Sequence, residues 1–133
     1  MKLLILLTAD YAQIEGATGK LYVLGAFNRI YAAQLPTRHA RMALVARISS
    51  EVSDSTGELI LSSMLVDADG QEILKFEAPF SMSISRDGSR PYYDLVVEIG
   101  GILFPHAGTY EFKVSVGDEI LGSTPIDIID SRQ

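Results

Sequence analysis

The segment Phe104–Ile128 reads FPHAGTYEFKVSVGDEILGSTPIDI, and it constrains the fold more than any other part of the chain. Tyr110, Phe112, Val114 and Val116 are apolar at every second position, with Glu111, Lys113 and Ser115 between them. Side chains alternate across a strand, so this pattern describes one buried and one wet face. Gly117-Asp118-Glu119 supplies a turn, and Ile120, Leu121, Ile126 and Ile128 continue the apolar pattern on the way back. The segment predicts a β-hairpin.

The rest of the chain follows the same grammar. Leu3 to Leu7 is an uninterrupted apolar run and predicts a first strand covered on both faces, or one in the middle of a sandwich. Tyr11 to Gly19 predicts a polar hairpin loop, and Lys20 to Phe27 the returning strand, where Gly25 marks a bulge or a close backbone approach. Asn28 to Gln34 fits an extended segment better than a short helix, and Leu35-Pro36 ends it. Thr37 to Arg41 reads as a polar connection before a strand over Met42–Ile48. Ser49 to Gly57 is loop-like.

Strands are expected next over Glu58–Val66 and Ile73–Phe76, joined by an Asp67-Ala68-Asp69-Gly70 turn. Pro79 is expected to interrupt, before the alternating Phe80, Met82 and Ile84. Arg86 to Pro91 reads as a turn, Tyr92 to Ile99 as a strand, and Gly100-Gly101 as its end. Eight or nine short strands with regular turn signals and no long amphipathic helix predict an all-β protein. The expected architecture is one domain, an antiparallel immunoglobulin-like or Greek-key β-sandwich over residues 1–133.

Composition narrows the functional classes. The chain has 133 residues, 47% of them hydrophobic, enough for one core rather than a disordered segment. It has no cysteine, which excludes disulfides, a thiolate nucleophile and zinc–thiolate sites. A formal net charge of −6 argues against nucleic acid, whose binders show a basic footprint. The apolar run at Leu3–Leu7 is too short to span a bilayer and reads as a buried strand rather than an export signal. A cytoplasmic protein without membrane partners is the expectation.

Two stretches carry resemblances. Pro105-His-Ala-Gly108-Thr-Tyr110-Glu-Phe112-Lys-Val114 resembles the P-x-x-G-x-Y-x-F-x-V pattern of many immunoglobulin-like sandwiches, although the paired cysteines and core tryptophan of antibody domains are missing. Leu3–Ala12, then Gly19-Lys20-Leu21 and Leu24-Gly25-Ala26-Phe27, resemble a family of small uncharacterised bacterial β-sandwich proteins with an LLLADYA-like strand followed by a GKL-x-x-LGAF-like strand. Pro36, Arg41 and the late P-x-x-G-x-Y-x-F strand extend that resemblance over most of the chain. It implies a bacterial β-sandwich and brings no activity, cofactor or catalytic residue with it.

Candidate chemistry is sparse. Asp67-x-Asp69-Gly70 begins like a calcium loop, but the twelfth position, where such loops place a bidentate Glu, is Ala78. His39 and His106 have no metal-ligand spacing, and no G-x-S-x-G elbow supplies a nucleophile. Arg38, His39 and Arg41 form the densest basic cluster, which with Arg29 or Arg47 could hold a carboxylate or phosphate. The blander reading pairs Arg47 with an acid on a neighbouring strand. Tyr22, Tyr31, Tyr92 and Tyr93 could form an aromatic platform, but Tyr92 and Tyr93 must point to opposite faces. Asp10, closing an apolar strand, could cap amides or pair with Arg29.

The preferred reading is a non-enzymatic interaction or structural module with a protein partner or self-association. No catalytic, metal or cofactor set is expected, and Arg38, His39, Arg41 and Tyr92 are the expected ligand or partner contacts. A carbohydrate- or small-molecule-binding module is the alternative, and a hydrolase using His39 or His106 the third reading.

Overall fold

The computed structural model describes residues 1–51, 57–82 and 92–132. Nine strands follow one another among these residues: β1 (Lys2–Ile14), β2 (Leu21–Phe27), β3 (Arg29–Ala32), β4 (Thr37–Ser49), β5 (Gly57–Val66), β6 (Glu72–Met82), β7 (Tyr92–Phe104), β8 (Gly108–Val116) and β9 (Glu119–Asp130). They form a four-stranded sheet, β2-β1-β4-β7, and a five-stranded sheet, β3-β9-β8-β5-β6. The chain is an all-β sandwich.

The closing hairpin sits centrally. β8 lies between β9 and β5 and buries Tyr110, Phe112 and Val114 completely. Phe112 stands opposite Leu65 on β5 and Thr124 on β9. Phe104 meets Tyr110 edge-on, with centroids 5.0 Å apart at 81°. Each such side chain contributes about 1.5–3 kcal/mol of hydrophobic burial. Across the sandwich, Met42, Leu44, Ala46 and Ile48 of β4 face the same core.

The intervening β4 residues Ala43 and Val45 are buried too, in a second cluster on the opposite face of that sheet with Leu7, Leu21, Val23 and Val96. β4 is therefore the strand covered on both faces. The expected double cover of Leu3–Leu7 is only partial: Leu3 and Leu6 pack on the main core and Leu7 on the second cluster, while Leu4 is 43% exposed. β1 also runs further than expected, to Ile14, before a turn closed by the Glu15 amide on the Lys20 carbonyl at 2.9 Å.

Four other expectations are corrected. Thr37–Arg41 is the first third of β4, paired with Gly100–Phe104 of β7. Gly100-Gly101 does not end β7. Gly101 takes φ +65°, and the buried set shifts by one residue, from Leu95 and Ile99 to Ile102 and Phe104. Pro79 does not interrupt β6, because β6 is an edge strand and proline's missing N–H costs no ladder bond on the open side. The pairing is not wholly antiparallel, since β3 runs parallel to β9 from Arg29↔Asp127 to Ala32↔Asp130. Only Asn28 separates β2 from β3, so one extended segment changes sheets, and its Asn28 carbonyl takes the Asp127 amide at 2.8 Å. The centre of the Ser49–Gly57 loop, Ile84 and the Arg86–Pro91 turn lie outside the described residues.

Candidate functional site

The polar constellation that the fold builds lies at one end of the sandwich. The pairing of β5 with β8, Val66 against Glu111, brings the β5–β6 turn beside the β7–β8 connection. Asp67 follows β5 directly, and its side chain is 2% exposed. Its Oδ1 accepts the Asp69 amide at 3.0 Å and the Gln71 amide at 2.8 Å. The turn closes through the Gly70 amide on the Asp67 carbonyl at 3.0 Å, with Gly70 at φ +81°. Asp67 is thus a turn-organising carboxylate, as the Asp-Gly pattern implies.

Its other oxygen reaches across. Asp67 Oδ2 lies 3.3 Å from His106 Nε2. His106 Nδ1 lies 3.1 Å from the Ala107 carbonyl. The half-exposed ring stacks on Tyr110, 5.4 Å between centroids at 23°. The Tyr110 hydroxyl donates to the His106 carbonyl at 2.7 Å and accepts the His106 amide at 3.3 Å. This is the tyrosine corner of immunoglobulin-like sandwiches, a tyrosine tied back to backbone a few residues upstream.

The electrostatics follow from these contacts. The Gln71 amide, then the His106 ring and the Asp69 amide, hold the Asp67 carboxyl below its ordinary value against the effect of burial. The Ala107 carbonyl first, then Asp67 and Asp69, raise His106. Burial pushes Tyr110 up. His106 is therefore not the isolated histidine its sequence neighbours suggest. It has an acid, but no serine or threonine hydroxyl is bonded to it among the described residues, and the neighbouring Thr109 hydroxyl donates to Asp127 at 2.7 Å. A cleft of about 310 Å³ lies beside the turn, lined by Asp67, Ala68, Gly70, Thr109, Glu111 and Lys113, with no aromatic wall.

The residues singled out from the sequence do not converge. Arg38 donates to the Gly101 carbonyl at 2.6 Å, and Arg41 pairs with Glu98 on the adjacent strand. His39 is half-buried with its ring 5.7 Å from Phe27. Tyr92 is exposed, opposite Ser49, eight β4 residues from Arg41 and about 27 Å along the strand. Arg47 makes a two-pronged pair with Asp94, at 2.6 and 3.0 Å. Tyr93 turns inward against Phe80, 5.0 Å between centroids. Asp10 makes neither a cap nor an ion pair, and faces Gly25 instead. A Cβ on Gly25 would lie 2.9 Å from the Asp10 Cγ. Groups of three or more His, Asp or Glu able to hold a metal do not occur among the described residues. Among the described residues no helix is long and apolar enough to cross a membrane.

One further feature is structural rather than chemical. Among the described residues β2 is one of the two edges of the four-stranded sheet, and Leu21–Phe27 contains no charged residue or proline. Its Tyr22 and Leu24 are 48% and 61% exposed. Leu21 and Val23 join the second apolar cluster, so that face runs from the β2 edge to Val96 on β7.

Two packed sheets, the tyrosine corner and the late P-x-x-G-x-Y-x-F strand define an immunoglobulin-like β-sandwich. The chain belongs to DUF6941, a family of unknown function, whose profile matches residues 4–129. No curated protein matches it. Among solved structures it is similar to an immunoglobulin-like protein of Pseudomonas aeruginosa, at 18% identity and TM-score 0.38, over 91% of this chain and 90% of that one. It is also similar to part of a glycosyl hydrolase family 2 member from Bacteroides cellulosilyticus, at 14% identity and TM-score 0.43, over 71% of this chain. A β-galactosidase from Bacteroides fragilis gives 11% identity and TM-score 0.43 over 70%. The chain spans about one seventh of the length of those two enzymes.

Proposed function

We propose that this protein is a non-enzymatic interaction module that associates with a second copy of itself along β2. The observation that carries this reading is the character of that edge. Free edges are templates for strand pairing, and proteins blunt them with charges, proline or short length. The other edges have such devices: β7 carries Asp94 and Glu98, β6 carries Lys75, Glu77 and Pro79, and β3 has four residues. β2 has only the positive-φ Gly25 near its end, which leaves Leu21–Leu24 as an uncharged edge with Tyr22 and Leu24 exposed.

Antiparallel pairing of two copies over Leu21–Leu24 sets no like charges against each other, because Lys20 then lies across from Gly25. The apolar face behind Leu21 and Val23 extends the contact beyond main-chain bonds. The test is light scattering on the full chain and on Leu24→Lys, chosen because Leu24 is exposed and contributes little to folding. The expected result is a dimer that the substitution converts to a monomer with an unchanged melting temperature. A monomeric parent chain, or a dimer indifferent to Leu24→Lys, overturns the reading.

A further inference from the structure

The ring of His106 is surrounded by acceptors. Nε2 faces Asp67 Oδ2 at 3.3 Å, and Nδ1 faces the Ala107 carbonyl at 3.1 Å. The Tyr110 oxygen, 3.4 Å from Nδ1, offers no proton either, because that proton is committed to the His106 carbonyl. A neutral imidazole has one N–H and one bare lone pair. It can satisfy the Ala107 carbonyl or the Asp67 carboxylate, and whichever it leaves confronts a lone pair. The imidazolium donates to both. Geometry alone therefore makes this arrangement complete only when His106 carries its second proton.

We propose that His106 is a proton-operated latch, which when charged fastens the β5–β6 turn to the β7–β8 connection and when neutral releases it, widening the cleft between that turn and β8. The charged and titratable groups facing the ring are Asp67 and Asp69 from the turn and Tyr110 from β8. The Ala107 carbonyl and then both acids stabilise the imidazolium, so His106 titrates above the ordinary histidine value of about 6.5. Asp67 is held low and stays ionised throughout that range. Its Oδ1 holds the Asp69 and Gln71 amides, and the Oδ2 contact with His106 fixes the carboxylate that does so, so release loosens the turn. Oδ2 is then free to take a donor from the cleft lined by Gly70, Thr109 and Lys113. The fold supports the change, since His106 is half exposed and lies on a connection rather than in a strand.

The experiment follows the His106 ring by NMR across the neutral range, together with hydrogen exchange at the Asp69, Gly70 and Gln71 amides corrected for base catalysis. Protection of these amides is expected to fall by about tenfold per pH unit of separation between latched and free ring pKa, the fall lying between those two values and ending where the latched ring titrates. His106→Ala removes the latch and should give low, pH-independent protection. His106→Gln, whose amide donates to Asp67 at every pH, should hold protection high and equally flat. Neither variant removes a core side chain. Ring titration without a matching change at the amides overturns the proposal, as does a pH dependence that survives in His106→Ala.

Discussion

The hydroxyl of Tyr110 donates to the carbonyl of His106 at 2.7 Å while its ring packs at the floor of the core against Phe104. One side chain thus fixes both the packing of β8 and the path of the chain entering it. Tyr110→Phe keeps the ring and deletes the bond, leaving the His106 carbonyl without its donor. The expected loss is about 1–2 kcal/mol in chemical denaturation, with an unchanged circular dichroism spectrum. A loss near zero would mean that water replaces the hydroxyl without cost.

Stability should depend on pH in two limbs. His106 is raised in the folded state, so its contribution is complete below the unfolded histidine value and disappears as pH rises through the folded one. Asp67 is lowered, so its contribution is present above the unfolded carboxylate value and disappears as pH falls through the folded one. The two overlap on the acid side of neutrality, where melting temperature should peak. In His106→Ala the decline on the alkaline side should vanish while the acid limb remains.

Gly25 combines φ +69° with a missing Cβ directly over Asp10. Gly25→Ala meets both obstacles and should cost about 1–2 kcal/mol. Asp10→Gly in the same chain removes the steric part and leaves the backbone strain. The double variant should therefore be more stable than the sum of the single effects, a coupling that a double-mutant cycle reads directly.

Ser63 stands between Leu61 and Leu65 on the inward side of β5, 1% exposed, and its hydroxyl has no hydrogen-bond partner. A buried hydroxyl without a partner is a net cost to folding. Ser63→Ala should raise stability by about 1 kcal/mol, measured as a higher denaturation midpoint at constant slope.

How much of this was legible depended on whether a signal was local. The alternation from Tyr110 to Val116 specified β8 because one face is buried and the other wet. Asp67-Ala68-Asp69-Gly70 specified its turn because the chemistry of the turn lies within four residues. The Gly100-Gly101 pair misled, because glycine is permissive in either direction. Here it lets β7 change the phase of its buried residues without ending, while β4 changes phase beside it from His39 to Met42. Thr37–Arg41 looked like a loop because its side chains are mostly polar and none is buried, although its backbone pairs with β7. The contact between Asp67 and His106 spans 39 positions and is created by sheet pairing, so nothing near either residue announces it. The edge character of β2 was equally hidden. Its uncharged composition is visible in the sequence, but an uncharged strand becomes unusual only once one of its sides is known to lack a neighbour among the described residues.

The contact between Leu3 and Gly122 has a consequence for synthesis. Leu3 lies over Gly122, where a Cβ would come within 2.9 Å of its Cδ2, and the Met1 amino group reaches Glu119 at 3.8 Å. β1 can pair with β2 and β4 as soon as these leave the ribosome, because both follow closely in the chain. Leu3, however, meets Gly122 only when β9 has been made, more than a hundred residues later. During translation β1 therefore displays Leu3 without this cover until β9 supplies it.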